Sequence, residues 1–63
     1  MHYKIRDFRR ELHMSQQKLA EASGVSRAII SGLENGSIEV TTTETLLKIA
    51  RALGKKVSDI FLD

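Results

Sequence analysis

Residues 15–36, SQQKLAEASGVSRAIISGLENG, hold two short helical patterns separated by one glycine, Gly24. Ser15 is placed to cap a helix over 16–22, and Gly24 to end it in the left-handed conformation. Ser26 then caps a second helix over 27–34, with Ile30 and Leu33 turned inward, and Asn35–Gly36 stops it. Leu19 packs inward, Ala20 is small where a crossing helix needs room, and Val25 plugs the corner. So tight a corner constrains the chain to pack one short helix across another. An ordinary helical hairpin within a bundle is the alternative reading of the same residues.

The flanking segments are helical as well. Ile5, Phe8 and Leu12 recur at spacings of three and four, which predicts an amphipathic helix over 3–12 with Lys4, Arg6 and Arg10 on its other face. Thr41 and Glu44 fit a capping box that opens a helix over 42–53, with Leu46, Leu47, Ile49, Ala50 and Leu53 apolar. Gly54 closes it, and Val57, Ile60 and Phe61 outline a last short helix. With 63 residues, no proline and four glycines, the expectation is one all-α domain over 1–63, a compact bundle of five short helices.

Other chemistry finds little support. There is no cysteine, hence neither a disulfide framework nor a thiolate metal site. His2 and His13 have no acidic partner at ligand spacing, so no metal is expected. Six serines stand without a nucleophile motif or an obvious base, which argues against an enzyme. No signal sequence or membrane-length apolar run is seen, so the chain is expected to be cytoplasmic, without cofactor, small-molecule ligand or membrane contact. A net charge of +2 is a mild bias toward an anionic partner.

Helix, glycine turn, helix is the arrangement by which a second helix enters the major groove of DNA. MSQQKLAEASGVSRAIISGLENG, followed by TLLKIARALGKKVSDIF, resembles the lambda-repressor-like (Xre/Cro-type) helix-turn-helix family from about Ile5 to Phe61. The resemblance implies DNA base contacts from Ser26, Arg27, Ala28, Ser31 and Gly32. It implies phosphate contacts from Ser15, Gln16, Arg9, Arg10, Asn35 and Thr42. Arg27 has the fork to bind the O6 and N7 of a guanine, or to grip a phosphate. Ala28 and Gly32 offer little hydrogen bonding but allow close approach and admit a thymine methyl. Ile29 is open between groove contact and core edge. The loop SIEVTT, with Glu39, departs from the basic, proline-containing loop of many relatives, which leaves phosphate contact there to helix amides near Thr42 and Thr43. Gly32 stands where many relatives carry a larger polar residue.

Glu34 lies on a helix that should face phosphates, where a free carboxylate is repelled. The resemblance implies an ion pair between it and Arg9 of the first helix. Val57, Ile60, Phe61 and Leu62 crowd four apolar groups into the last segment, three of them on one helical face, and suggest a homodimer interface. The leading expectation is therefore a transcriptional regulator, repressor or activator, that binds an inverted-repeat operator in double-stranded DNA as a homodimer. Restriction–modification controllers are a subtype of that reading. The rival is an antitoxin, a protein-interaction module whose DNA binding is autoregulatory; the shortness of the chain beyond its five helices favours the regulator.

Overall fold

The computed structural model describes residues 2–38 and 41–62, and of His2, Phe61 and Leu62 the backbone alone. In chain order the elements are β1 (His2–Tyr3), α1 (Ile5–Glu11), α2 (Gln16–Ser23), α3 (Arg27–Asn35), α4 (Thr43–Leu53), α5 (Val57–Ile60) and β2 (Phe61–Leu62). The five helices make the fold all-α, and the two strands form only a short ribbon between the ends of the described chain.

Each of α2, α3 and α4 starts at a hydroxyl that accepts the backbone N–H three residues on. Ser15 accepts from Lys18 at 3.0 Å, Ser26 from Ile29 at 3.3 Å, and Thr42 from Thr45 at 3.1 Å. Such a cap contributes about 1 kcal/mol. The cap of α4 is thus Thr42 and not Thr41, which moves Glu44 one place too early to close a capping box. Glu44 pairs instead with Lys48 one turn on, 3.6 Å away.

Ten buried side chains form the core: Ile5, Leu19, Val25, Ile30, Leu33, Leu46, Ile49, Ala50, Leu53 and Ile60. Helix α2 packs on both α3 and α4, and α1 closes over α3 and α4 from the other side. Full burial of one such aliphatic side chain contributes about 1.5–3 kcal/mol, so these residues hold the helices in place. Phe8 packs on this set half-buried, and two expected core positions are exposed. Leu12 falls beyond the end of α1 and is 50% exposed, and Leu47 is 38% exposed on the outer face of α4.

The chain ends depart from the helical expectation. Tyr3 opens no helix: it pairs with Phe61 in an antiparallel ribbon, and His2 pairs with Leu62. The Lys4 N–H donates to the Ile60 carbonyl at 2.7 Å, which stops α5 there and turns Phe61 into a strand. Phe61 therefore does not share a helical face with Val57 and Ile60. Ile60 itself is fully buried in the core of its own chain, and Val57 is half-buried against it. Ile60 is thereby removed from the expected dimer surface, because a side chain without exposure has nothing to offer a partner. The side chains of Phe61 and Leu62 lie outside the described residues, as does Glu39.

Candidate nucleic-acid interface

The corner between α2 and α3 is built from backbone conformation and one apolar plug. Gly24 has φ 76°, a left-handed value costly for a side-chain-bearing residue, and its N–H donates to the Ala20 carbonyl at 2.9 Å. The Ser23 hydroxyl accepts the next N–H, that of Val25, at 3.2 Å. Val25 is then buried at the corner and α3 leaves across α2.

The cap residue Ser26 and the first helical residues Arg27 and Ala28 are exposed, and Ser31 is half-buried. Ile29 is half-buried and packs against the core on its inner side. Gly32 differs from what the resemblance implies. It falls one turn beyond Ala28 on the exposed stripe, yet it is buried. A Cβ there would lie 2.5 Å from Ile38 Cδ1 and 2.6 Å from Ile38 Cγ1, so the loop after α3 covers it. The Ile38 N–H donates to the Gly32 carbonyl at 3.0 Å and ties that loop down. Gly32 is therefore a seat for Ile38 and not an open groove position.

Glu34 is the electrostatic centre of this side of the molecule. Its side chain has no solvent exposure. Arg9 meets it side-on, Nε to Oε2 at 2.9 Å and Nη2 to Oε1 at 2.9 Å. The third Arg9 nitrogen, Nη1, donates to the Met14 carbonyl at 2.8 Å. Each guanidinium nitrogen makes one of these bonds and 12% of the side chain is exposed, so Arg9 braces α1 against α3 with one further N–H on each Nη. Arg6 Nε and Gln16 Nε2 each donate to Glu34 Oε1 at 3.3 Å. Burial pushes the Glu34 carboxyl up, but the hydrogen bonds from Arg9 and Gln16, the Arg9 charge and the Arg6 contact outweigh it and hold the group below the usual carboxylate range. The same pairing raises Arg9, chiefly through its hydrogen bond to Glu34 and against the opposing effect of burial.

The Gln16 contact brings the start of α2 beside the last turn of α3, where Asn35 follows Glu34. Asn35 Oδ1 accepts the Ser37 N–H at 2.8 Å, which leaves its amide N–H groups outward. Ser15 and Thr42 are exposed but spend their oxygens on caps, and Thr42 donates further to Thr45 Oγ1 at 2.9 Å. Arg10 is exposed on α1, without an ion pair among the described residues.

Residues 5–60 match the helix-turn-helix family. The chain belongs to that family. A helix-turn-helix type transcriptional regulator of Methanothermobacter thermautotrophicus is 42% identical over 59 residues, 92% of this chain and 84% of the relative. One from Archaeoglobus fulgidus is 37% identical over 62 residues, 98% of this chain and 86% of the relative. The ImmF control region 10 kDa protein of Bacillus phage phi105 is 44% identical over 46 residues, 73% of this chain and half of its own length. The corner at Gly24 is thus the turn of a DNA-binding helix-turn-helix, α3 is its second helix, and the protein is a transcriptional regulator of the Xre type.

Two members of the helix-turn-helix surface escaped the sequence reading. Arg6 stands one turn before Arg9 and shares its face toward Glu34; the spacing of three was visible, but the apolar stripe had assigned Arg6 to the opposite side. Ile38 was passed over as part of a polar loop, although an isolated isoleucine near a mid-helix glycine is the pattern of a side chain seated on bare backbone. Among the described residues no helix is long and apolar enough to cross a membrane.

Proposed function

We propose that this regulator binds an inverted-repeat operator in double-stranded DNA as a homodimer, with α3 of each copy in the major groove. Arg27, Ser26, Ala28 and Ser31 face the base edges. Arg27 is the one long donor among them and takes a guanine through O6 and N7. Ser15, Gln16, Asn35, Arg10 and the N-terminal amides near Thr42 hold phosphates and fix the register.

The observation that carries this reading is the Gln16–Glu34 hydrogen bond at 3.3 Å. It sets the α2 N-terminus and Asn35 at one end of α3 while Arg27 stands at the other, so a backbone grip and a base reader flank one helix. Glu34, the carboxylate at that end, is cancelled by Arg9. One module with so few polar reading groups buries little DNA surface, and a two-fold partner doubles the site. Two copies with recognition helices about 34 Å apart engage successive major grooves on one face of the duplex. The backbone of β2 supports a contact between copies, since among the described residues it pairs only with β1 and has a free edge.

Selection of bound duplexes from a random pool tests the reading. An enriched palindrome, with Arg27→Ala costing about 1–3 kcal/mol on it and less on random duplex, is the expected result. Equal losses on both DNAs assign Arg27 to phosphate. Failure to enrich any sequence overturns the proposal, and a monomer by sedimentation at micromolar concentration that fills half-sites without cooperativity overturns the dimer.

A further inference from the structure

Helix α3 has an exposed stripe that runs through Ala28, Ser31 and Asn35, and one residue on it is hidden. Gly32 follows Ala28 by one turn, and its face is occupied by Ile38 from the next loop, as the 2.5 Å approach of Ile38 Cδ1 to a would-be Cβ records. Two hydrogen bonds, one to backbone and one to a side chain, pin the segment that delivers this side chain. Ile38 N–H donates to the Gly32 carbonyl at 3.0 Å, and Ser37 N–H donates to Asn35 Oδ1 at 2.8 Å. Ile38 packs against the core and remains half-buried, so the residue keeps some exposure to solvent.

We infer that Ile38 is a specificity-determining residue of the recognition surface: it replaces the side chain that Gly32 lacks and makes an apolar contact with a thymine methyl group in the major groove. The inference rests on the proposed docking of α3 in that groove. Three features of the site favour this chemistry. The side chain of Ile38 gives the stripe an apolar surface beside Ala28, with the Ser37 hydroxyl at its edge, 3.2 Å from where a Gly32 Cβ would stand. The C5-methyl of thymine is the one apolar group on a major-groove base edge, so an aliphatic side chain there separates A·T pairs from G·C pairs without a hydrogen bond. Ser37 and Ile38 are also tied to the helix, because both anchoring bonds end on α3 itself. A side chain held in this way meets the groove at a fixed depth, and the base it meets is set by the helix. Ser31 and Arg27 then read neighbouring pairs, and the C-terminal half of the helix reads through a residue that is not part of it.

Replacing thymine by deoxyuridine at each position of the selected operator removes one methyl at a time and needs no change in the protein. The expected result is a roughly fourfold loss of affinity at one position per half-site, on the scale of one buried methyl contact. Ile38→Ala should bind thymine and uracil operators alike at that position, while its affinity for random duplex stays at the wild-type level. Gly32→Ala, whose methyl displaces Ile38, should lose the same discrimination, and Ile38→Val should keep part of it. Equal binding of thymine and uracil at every position by the wild-type protein overturns the inference, as does an uracil effect that Ile38→Ala retains. A purely structural Ile38 would instead lower affinity for all duplexes together and leave the uracil profile unchanged. Absence of any enriched operator is a separate result, which strikes the docking and not this residue.

Discussion

Arg9 and Glu34 lie 25 residues apart and meet through two hydrogen bonds of 2.9 Å, the planar fork of one on the planar carboxylate of the other. The carboxylate has no exposure and the guanidinium very little, so neither can recover water if its partner is lost. Arg9→Ala should destabilise the fold by about 3 kcal/mol, because it leaves a buried charge without its main counter-ion. Arg9→Lys should cost nearly as much, since a point charge cannot make the side-on contact. Urea unfolding of both variants and of the Arg9→Ala, Glu34→Ala double mutant measures the coupling. A coupling energy near zero is the outcome that removes the pair as a stability element.

Stability should fall in acid for a reason that can be assigned to Glu34. An unfolded glutamate titrates in the ordinary carboxylate range, and its hydrogen bonds and ion pair hold Glu34 below its ordinary value in the fold. The unfolded state therefore takes up the proton first, so the contribution of Glu34 is complete above the ordinary carboxylate range and is lost as pH drops through the folded value. Thermal unfolding measured downward from neutral pH should show the gap between wild type and Glu34→Gln closing over that interval. A gap that stays constant with pH excludes Glu34 as the titrating group.

His13 occupies after α1 the place that Gly54 occupies after α4. In both, two backbone bonds close the helix end: His13 N–H to Arg10 O at 3.0 Å and Met14 N–H to Arg9 O at 3.0 Å, against Gly54 N–H to Arg51 O at 3.1 Å and Lys55 N–H to Ala50 O at 2.9 Å. Both residues are left-handed, with φ 56° for His13 and 69° for Gly54. Only the glycine takes that conformation freely. His13→Gly should stabilise the protein by about 0.5–1 kcal/mol, and Gly54→Ala should destabilise it by about 1 kcal/mol even though a Cβ there meets nothing within 4 Å. Melting temperatures that move in the opposite directions would show that strain at this turn is not what limits stability.

Neutral and charged phosphate contacts should differ in their response to salt. Gln16→Ala and Asn35→Ala remove amide donors, so affinity for every duplex should drop by a similar factor while its salt dependence keeps its slope. Arg10→Ala removes a cation, and with it about one released counter-ion from the slope of log K against log salt. Titrations at a series of salt concentrations separate the two. An unchanged slope for Arg10→Ala removes it from the phosphate contacts.

Much of this fold is legible along the chain because its determinants act over three or four residues. Ser15 and Ser26 cap the N–H three places on, Gly24 needs only its own φ, and Leu19, Ile30 and Leu33 declare their faces by helical spacing. The sequence itself settled the five helices and the tight corner on that basis, and the family pattern carried the residues around it. Tertiary structure decided what no local pattern encodes. Gly32 was a groove position until Ile38, six residues on, was folded over it. Arg9 was one cation among several on α1 until Glu34 and the Met14 carbonyl each took hold of its guanidinium. Ile60 was surface until the core absorbed it, and Phe61 was helical until Tyr3 paired with its backbone. In each case the deciding partner comes from another element, and an open side chain differs from a committed one only in which distant group arrives to meet it.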